Sequence, residues 1–266
     1  MTLPGGDVWG SDRDATSTLV VIFGWLGAAF SIVLIVSPIP TFRGIIRKRD
    51  VAGFDHKPYV CAVANCAVWL AYAAVTPQRL QTLVTNVVGI TLELAYCAIF
   101  ARFEGKAEGR WKKRCARDLA LSLFLVAVIA VGGVVIEPFG VDPTLYFGVW
   151  SAVITLLMLG SPLLATRQVI RTRSVEFMPL PLTLSVFLCS ASWTIYAVPL
   201  GDPIIFAPFF GGFLLALAQL ALYTTFSSSL KHQRTTQDTG SEAGVNLVDD
   251  DDDDDDEESR TRPLLT

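Results

Sequence analysis

Seven stretches of this chain are each long and apolar enough to cross a bilayer, and few folds can accommodate that. A hydrocarbon core about 30 Å thick needs roughly 20 mostly apolar residues in helical form. Such stretches lie at about 17–38, 58–76, 80–101, 118–138, 144–164, 179–199 and 203–225. Lipid offers the backbone no hydrogen-bond partners, so each span satisfies its own amides as a helix. The expected fold class is therefore an all-α integral membrane bundle of seven transmembrane helices.

The charges sit where such a bundle needs them. The chain is 52% hydrophobic and only 17% charged, below the quarter common in soluble domains. Arg43, Arg47, Lys48, Arg49 and Lys57 separate the first two spans. Arg102, Lys106, Arg110, Lys112, Lys113, Arg114 and Arg117 separate the third and fourth, and Arg167, Arg171 and Arg173 the fifth and sixth. With the tail included, 19 of the 21 Lys and Arg residues fall on one side, leaving Arg13 and Arg79 for the other. Lys and Arg are retained on the cytoplasmic face. The N-terminus is thus expected outside and the C-terminus in the cytosol. The net charge of −4 belongs to the tail, since removing residues 231–266 turns it to +4.

Self-similarity divides the bundle. The segment SPIPTFRGIIRKRDV from Ser37 matches SPLLATRQVIRTRSV from Ser161 at an offset of 124. That offset pairs Arg43 with Arg167, Arg47 with Arg171 and Arg49 with Arg173, and lays Trp69 and Tyr72 on Trp193 and Tyr196. Spans one to three therefore repeat as five to seven, with the fourth as a linker. One intervening helix gives both halves the same orientation. The expected organisation is an outer segment 1–16, a first three-helix repeat 17–101, a basic loop and linker helix 102–143, a second repeat 144–225, and a disordered acidic cytosolic tail 226–266. The tail carries the Asp249–Asp256 run and a Leu264-Leu265 pair.

These residues resemble the SWEET family of sugar uniporters. The resemblance runs from Ser37 to Tyr223 and rests on SPIPTF, TNVVGITLELAY at 85–96, RSVEFMPLPLTL at 173–184 and SWTIYAVPLGDP at 192–203. Parallel repeats about an axis along the membrane normal are a known transporter plan, of which SWEETs are an example, with substrate bound near the midplane between the halves. The resemblance implies uncoupled, bidirectional movement of mono- or disaccharides by alternating access. It also implies hinge prolines, carried here onto Pro38, Pro58, Pro162 and Pro179, and an extracellular gate pair, Tyr72 with Asp202. Read alone, the prolines equally begin or end spans, and Asp202 equally caps the last helix.

A sugar presents apolar C–H faces and a ring of hydroxyls, so its site calls for a flat aromatic surface and neutral hydrogen-bonding groups. Trp193 and its repeat partner Trp69 lie ten or more residues into their spans and are the expected aromatic surface. Asn86, Gly89, Glu93 and Tyr96 share one face of the third span. Asn86 is the expected polar contact, matching the family's binding asparagine. At an offset of 123, Asn86 meets Phe209, Gly89 meets Gly212, Glu93 meets Ala216 and Tyr96 meets Gln219. Phe209 thus stands where the family has a second asparagine, while Gln219 keeps a polar group deeper in the last span.

The only histidines, His56 and His232, lie in a loop and the tail, and no nucleophile–base or metal-ligand constellation appears. The chain is read as no enzyme, with no cofactor and no nucleic-acid partner. Its expected partners are a sugar, the lipid bilayer and, by resemblance, further copies of itself. The plasma membrane is the expected location, an endomembrane the alternative. A proton-coupled carrier of the PQ-loop type, working through Glu93, is the alternative function.

Overall fold

A computed structural model describes residues 10–51, 53–77, 79–104, 112–173, 175 and 178–245. Among the described residues it contains α1 (Gly10–Val36), α2 (Ile39–Lys48), α3 (Lys57–Val75), α4 (Leu80–Phe103), α5 (Lys112–Ile136), α6 (Pro143–Met158), α7 (Gly160–Thr172), α8 (Leu180–Leu200) and α9 (Pro203–Val245), with no strand. These form seven apolar spans, because α1 and α2 together make the first, Thr18–Lys48, and α6 and α7 together make the fifth, Pro143–Thr172. Large apolar side chains such as Phe124, Val134 and Leu157 point outward, which water penalises and lipid does not.

The two broken spans locate Pro38 and Pro162. Pro38 has no N–H for the carbonyl of Leu34. That carbonyl instead accepts from the Ser37 hydroxyl at 2.8 Å and the Ser37 amide at 3.3 Å. The helix restarts at Ile39. The fifth span breaks at Leu159, three residues before Pro162. Pro58 and Pro179 instead sit at the starts of α3 and α8.

Both short helices end alike. Arg49 closes α2 and Arg173 closes α7, each with φ 52°. These are the only non-glycine residues with positive φ among the described ones, and they are 124 apart. The repeat is thus written in the backbone as well as the sequence.

Within the first half, α4 packs against both α1 and α3; within the second, α9 packs against both α6 and α8. The halves meet where α1 packs on α8 and α3 on α6, the two crossings a twofold axis would interchange. Small residues allow them to approach closely. A Cβ on Gly24 would come within 2.9 Å of the Tyr196 ring, and one on its repeat partner Gly148 within 3.1 Å of the Tyr72 ring. Helix α5 lies against α3, α4 and α6.

The core is distributed unevenly along the bundle. At the end with few basic residues, one cluster unites both halves, including Val68, Trp69, Tyr72, Phe147, Trp193, Tyr196 and Ile205. At the basic end each half keeps its own. Phe42, Val63, Tyr96 and Phe100 gather with α5 residues in the first half, and Val169, Val175 and Met178 gather in the second.

One expectation is corrected here. Regular structure does not stop at residue 226, because α9 continues to Val245. Extending an existing helix fixes one residue per hydrogen bond and needs no new nucleus, so a stable span carries helix into a Ser/Thr-rich sequence. Residues 246–266, with the Asp run and the Leu pair, lie outside the described residues, as does the outer segment up to residue 9.

Candidate functional site

The interface between the halves encloses a cavity of about 290 Å³. Trp69 enters it from α3, Trp193 from α8, Asn86 from α4 and Phe209 from α9. The four residues expected to form the substrate site are therefore brought together. Both tryptophans are 3% exposed, which places them in the interior rather than in an interfacial belt.

A buried indole N–H needs an acceptor, and each finds one on the opposite half. Trp69 Nε1 donates to Thr155 Oγ1 on α6 at 2.8 Å, and Trp193 Nε1 donates to Ser31 Oγ on α1 at 2.9 Å. Each hydroxyl also meets a second side chain. Thr155 bonds Asn65 Oδ1 at 2.9 Å, and Ser31 lies 3.3 Å from Cys189 Sγ. Trp69, Thr155 and Asn65 map onto Trp193, Ser31 and Cys189 at the offset of 124. The two sets form one symmetric device that fixes both ring planes. Each Trp also meets the Tyr one turn on, edge to face: Trp69 with Tyr72 at 5.5 Å, and Trp193 with Tyr196 at 5.2 Å.

Phe209 sits between the indoles, its ring centroid 6.0 Å from Trp69 and 5.7 Å from Trp193. Its volume and packing narrow the cavity where the repeat partner, Asn86, presents an amide. Asn86 Nδ2 donates to the Thr82 carbonyl at 2.8 Å, so the amide lies along its own helix with its oxygen free to accept.

The third and last spans, which the repeat pairs, line the cavity differently. Helix α4 contributes Thr82, Thr85, Asn86 and Glu93. At the offset of 123 these become Ile205, Pro208, Phe209 and Ala216 on α9. One α4 oxygen, Glu93 Oε2, is buried without a hydrogen-bond partner among the described residues. Gln219, expected to keep a polar group in the second half, does not line the cavity. Its Nε2 donates to Thr166 Oγ1 at 3.0 Å and to the Pro162 carbonyl at 3.3 Å. Its counterpart Tyr96 donates to the Ile35 carbonyl at 3.0 Å. Both residues brace the broken spans next to a proline.

The sparsely charged end of the cavity is shut. Tyr72 OH donates to Asp202 Oδ2 at 2.5 Å, and Arg79 Nη2 donates to the same oxygen at 2.8 Å. The other carboxylate oxygen accepts the amides of Ile204 and Ile205 at 3.0 and 3.2 Å. Asp202 thus caps α9 with one oxygen and holds Tyr72 and Arg79 of the first half with the other. Burial works against the Arg79 charge, but the hydrogen bond and charge of Asp202 outweigh it and hold its pKa above the ordinary value.

Sequence reasoning missed Arg79, Thr155, Ser31 and Asn65. Signals for Arg79 existed: it is one of two basic residues on its side, and it lies 123 residues before Asp202. The repeat therefore places an ion pair across its own axis. For the hydroxyls nothing local pointed to a role, because Thr and Ser within an apolar span ordinarily bond back to their own helix.

Comparison with known proteins follows the same lines. Residues 21–108 and 145–231 each match the sequence family described as "Sugar efflux transporter for intercellular exchange". The chain is 34% identical over 212 residues to the bidirectional sugar transporter SWEET7 of Arabidopsis thaliana, covering 79% of this chain and 81% of that one. It is 35% identical over 206 residues to SWEET1a of Oryza sativa subsp. japonica, covering 77% and 74% of the two chains. With SWEET3b of the same rice it shares 32% over 237 residues, covering 88% and 93%. A solved structure of a eukaryotic SWEET transporter superposes with a TM-score of 0.74 at 32% identity, covering 80% of this chain and 99% of the other.

Proposed function

The chain belongs to the SWEET family of sugar transporters, and from that premise we propose that it is a facilitative, bidirectional carrier of mono- or disaccharides working by alternating access. The observation that carries this reading is the cavity between the repeats. It offers two indole faces, held by cross-half hydrogen bonds, against a polar α4 wall. C–H faces of a sugar stack on the indoles while its hydroxyls meet Asn86 and Thr82.

The charge asymmetry of the loops supports an outer N-terminus and a cytosolic basic end. On that orientation Tyr72, Arg79 and Asp202 form the outer gate. The distribution of the core supports a state open to the cytosol, since the halves share one cluster at the gate and keep separate ones at the basic end. Opening outward then requires Asp202 to release Tyr72 and Arg79 while the halves close at the other end. Pro38 and Pro162, lying at broken spans, supply bending points for that closure. Pro58 and Pro179, at helix starts, let α3 and α8 pivot about their first turns.

The test is uptake of labelled glucose and sucrose in a cell lacking hexose uptake, with and without a proton uncoupler. Uptake that equilibrates and ignores the uncoupler is expected. Uptake abolished by the uncoupler overturns uncoupled transport and turns attention to Glu93. No uptake of either sugar despite surface expression overturns the sugar assignment.

A further inference from the structure

Glu93 lines the cavity but belongs to neither the indole site nor the outer gate. It is 6% exposed, and its Oε2 has no hydrogen-bond partner among the described residues. Its neighbours offer little. Tyr59, Cys66, Tyr96 and Cys97 lie near enough to feel its charge, and none of them hydrogen-bonds Oε2. The Tyr96 hydroxyl is already committed to the Ile35 carbonyl, and the thiols are weak donors. No basic side chain pairs with Glu93 among the described residues. A carboxyl group at membrane depth, charged or neutral, needs polar partners that lipid does not provide. The cavity that Glu93 lines is the side from which they can come.

The position narrows what that is. Glu93 lies seven residues beyond Asn86 on α4, about 10 Å along the helix toward the cytosolic end. A hydroxyl bonded at Asn86 is therefore out of its reach, and the two side chains serve different places on the path. At the offset of 123 Ala216 takes its place on α9, buried and outside the cavity lining, so Glu93 has no symmetric counterpart. An acceptor on α4 with no polar counterpart in the other repeat suits a polyhydroxylated molecule held along one edge.

Building on the transport reading above, we propose that Glu93 is a second polar station on the path, a subsite for sugar hydroxyls between the indole site and the cytosolic mouth. A sugar entering from the cytosol bonds Glu93 first; one arriving from outside meets it last. The carrier then binds sugar more tightly from its cytosolic face than the indole site alone allows.

The test compares wild type, Glu93→Ala and Glu93→Gln in right-side-out and inside-out vesicles. Zero-trans uptake of a labelled sugar that the wild type carries gives a KM at each face. Glu93→Ala is expected to raise the cytosolic-face KM fivefold or more and to move the outer-face KM less than twofold. Glu93→Gln keeps an acceptor in place and is expected to recover most of the lost affinity. In a passive carrier Vmax/KM is equal from both faces, which checks each data set internally. If Glu93→Ala does not reach the membrane, Glu93→Thr, polar but too short, carries the same expectation. Equal KM changes at both faces, or none, overturn the proposal. A wild type that carries no sugar from either face instead overturns the transport reading on which it rests.

Discussion

Tyr72→Phe removes one oxygen and leaves the ring, with its edge contact to Trp69, in place. What it deletes is a 2.5 Å hydrogen bond to the Asp202 carboxylate, buried on both sides. Hydrogen bonds to charged groups contribute roughly 1.5–3 kcal/mol. The lower figure applies here, because Asp202 keeps Arg79 at 2.8 Å on the same oxygen and two amides on the other. If the pair is the proposed outer gate, the bond exists only while that end is shut, and its loss acts on the conformational equilibrium. About 1.4 kcal/mol corresponds to a tenfold shift toward outward-open states. Cys66 lines the cavity and is buried, which makes it a native reporter. A membrane-impermeant thiol reagent applied from outside is expected to modify Cys66 about tenfold faster in Tyr72→Phe, with the site of reaction read by mass spectrometry. Exposed Cys61 is replaced by Ala in both proteins. An unchanged rate in a protein with normal surface expression refutes the gate. A faster rate from the cytosolic side alone refutes the orientation.

Further perturbations address the cavity and the frame. Phe209→Asn withdraws the ring lying between Trp69 and Trp193 and adds a donor and acceptor, worth ~1 kcal/mol per hydrogen bond made to sugar. Hexose affinity in uptake is expected to rise about fivefold, and no gain with normal expression counts against Phe209 as the residue that limits the site. Thr155→Val is nearly isosteric but leaves the Trp69 N–H without its acceptor, costing roughly 1–3 kcal/mol. Thermal stability and sugar affinity should both fall, and Thr155→Ser should restore them; a valine variant equal to wild type removes the hydroxyl from the device. Replacing Arg49 and Arg173 by Gly relieves two left-handed positions and is expected to raise stability by ~1 kcal/mol or less at each, seen as a higher Tm in detergent.

The seven spans and the doubling of three of them were legible because membrane helices declare themselves by length and apolarity, and a repeat declares itself by spacing. Trp69, Trp193 and Asn86 were legible for a related reason: large aromatic and amide side chains are costly at mid-span unless the interior uses them. Arg79 was harder to see. It lies in a short loop, and only the fold shows it bending under the bundle to reach Asp202. Gln219 keeps a polar group in the last span as expected, but depth in the span says nothing about which neighbour an amide faces. It braces the break at Pro162 and does not line the cavity.

What the sequence determined by itself is the set of elements and their pairing: seven helices, two like halves, and an aromatic and polar inventory within the second, third, sixth and seventh spans. Those properties follow from local chemistry, since hydropathy and periodicity act over neighbouring residues. The tertiary structure alone decided that each indole is held by a hydroxyl from the other half, that Asp202 divides its two oxygens between a helix cap and the Tyr72 and Arg79 side chains, and that α4 lines the cavity with polar groups where α9 presents Ile205 and Phe209. Each of these depends on distances between residues some 86 to 162 positions apart. Hydrogen bonds are decided over a few tenths of an ångström, a scale that only the packed helices set.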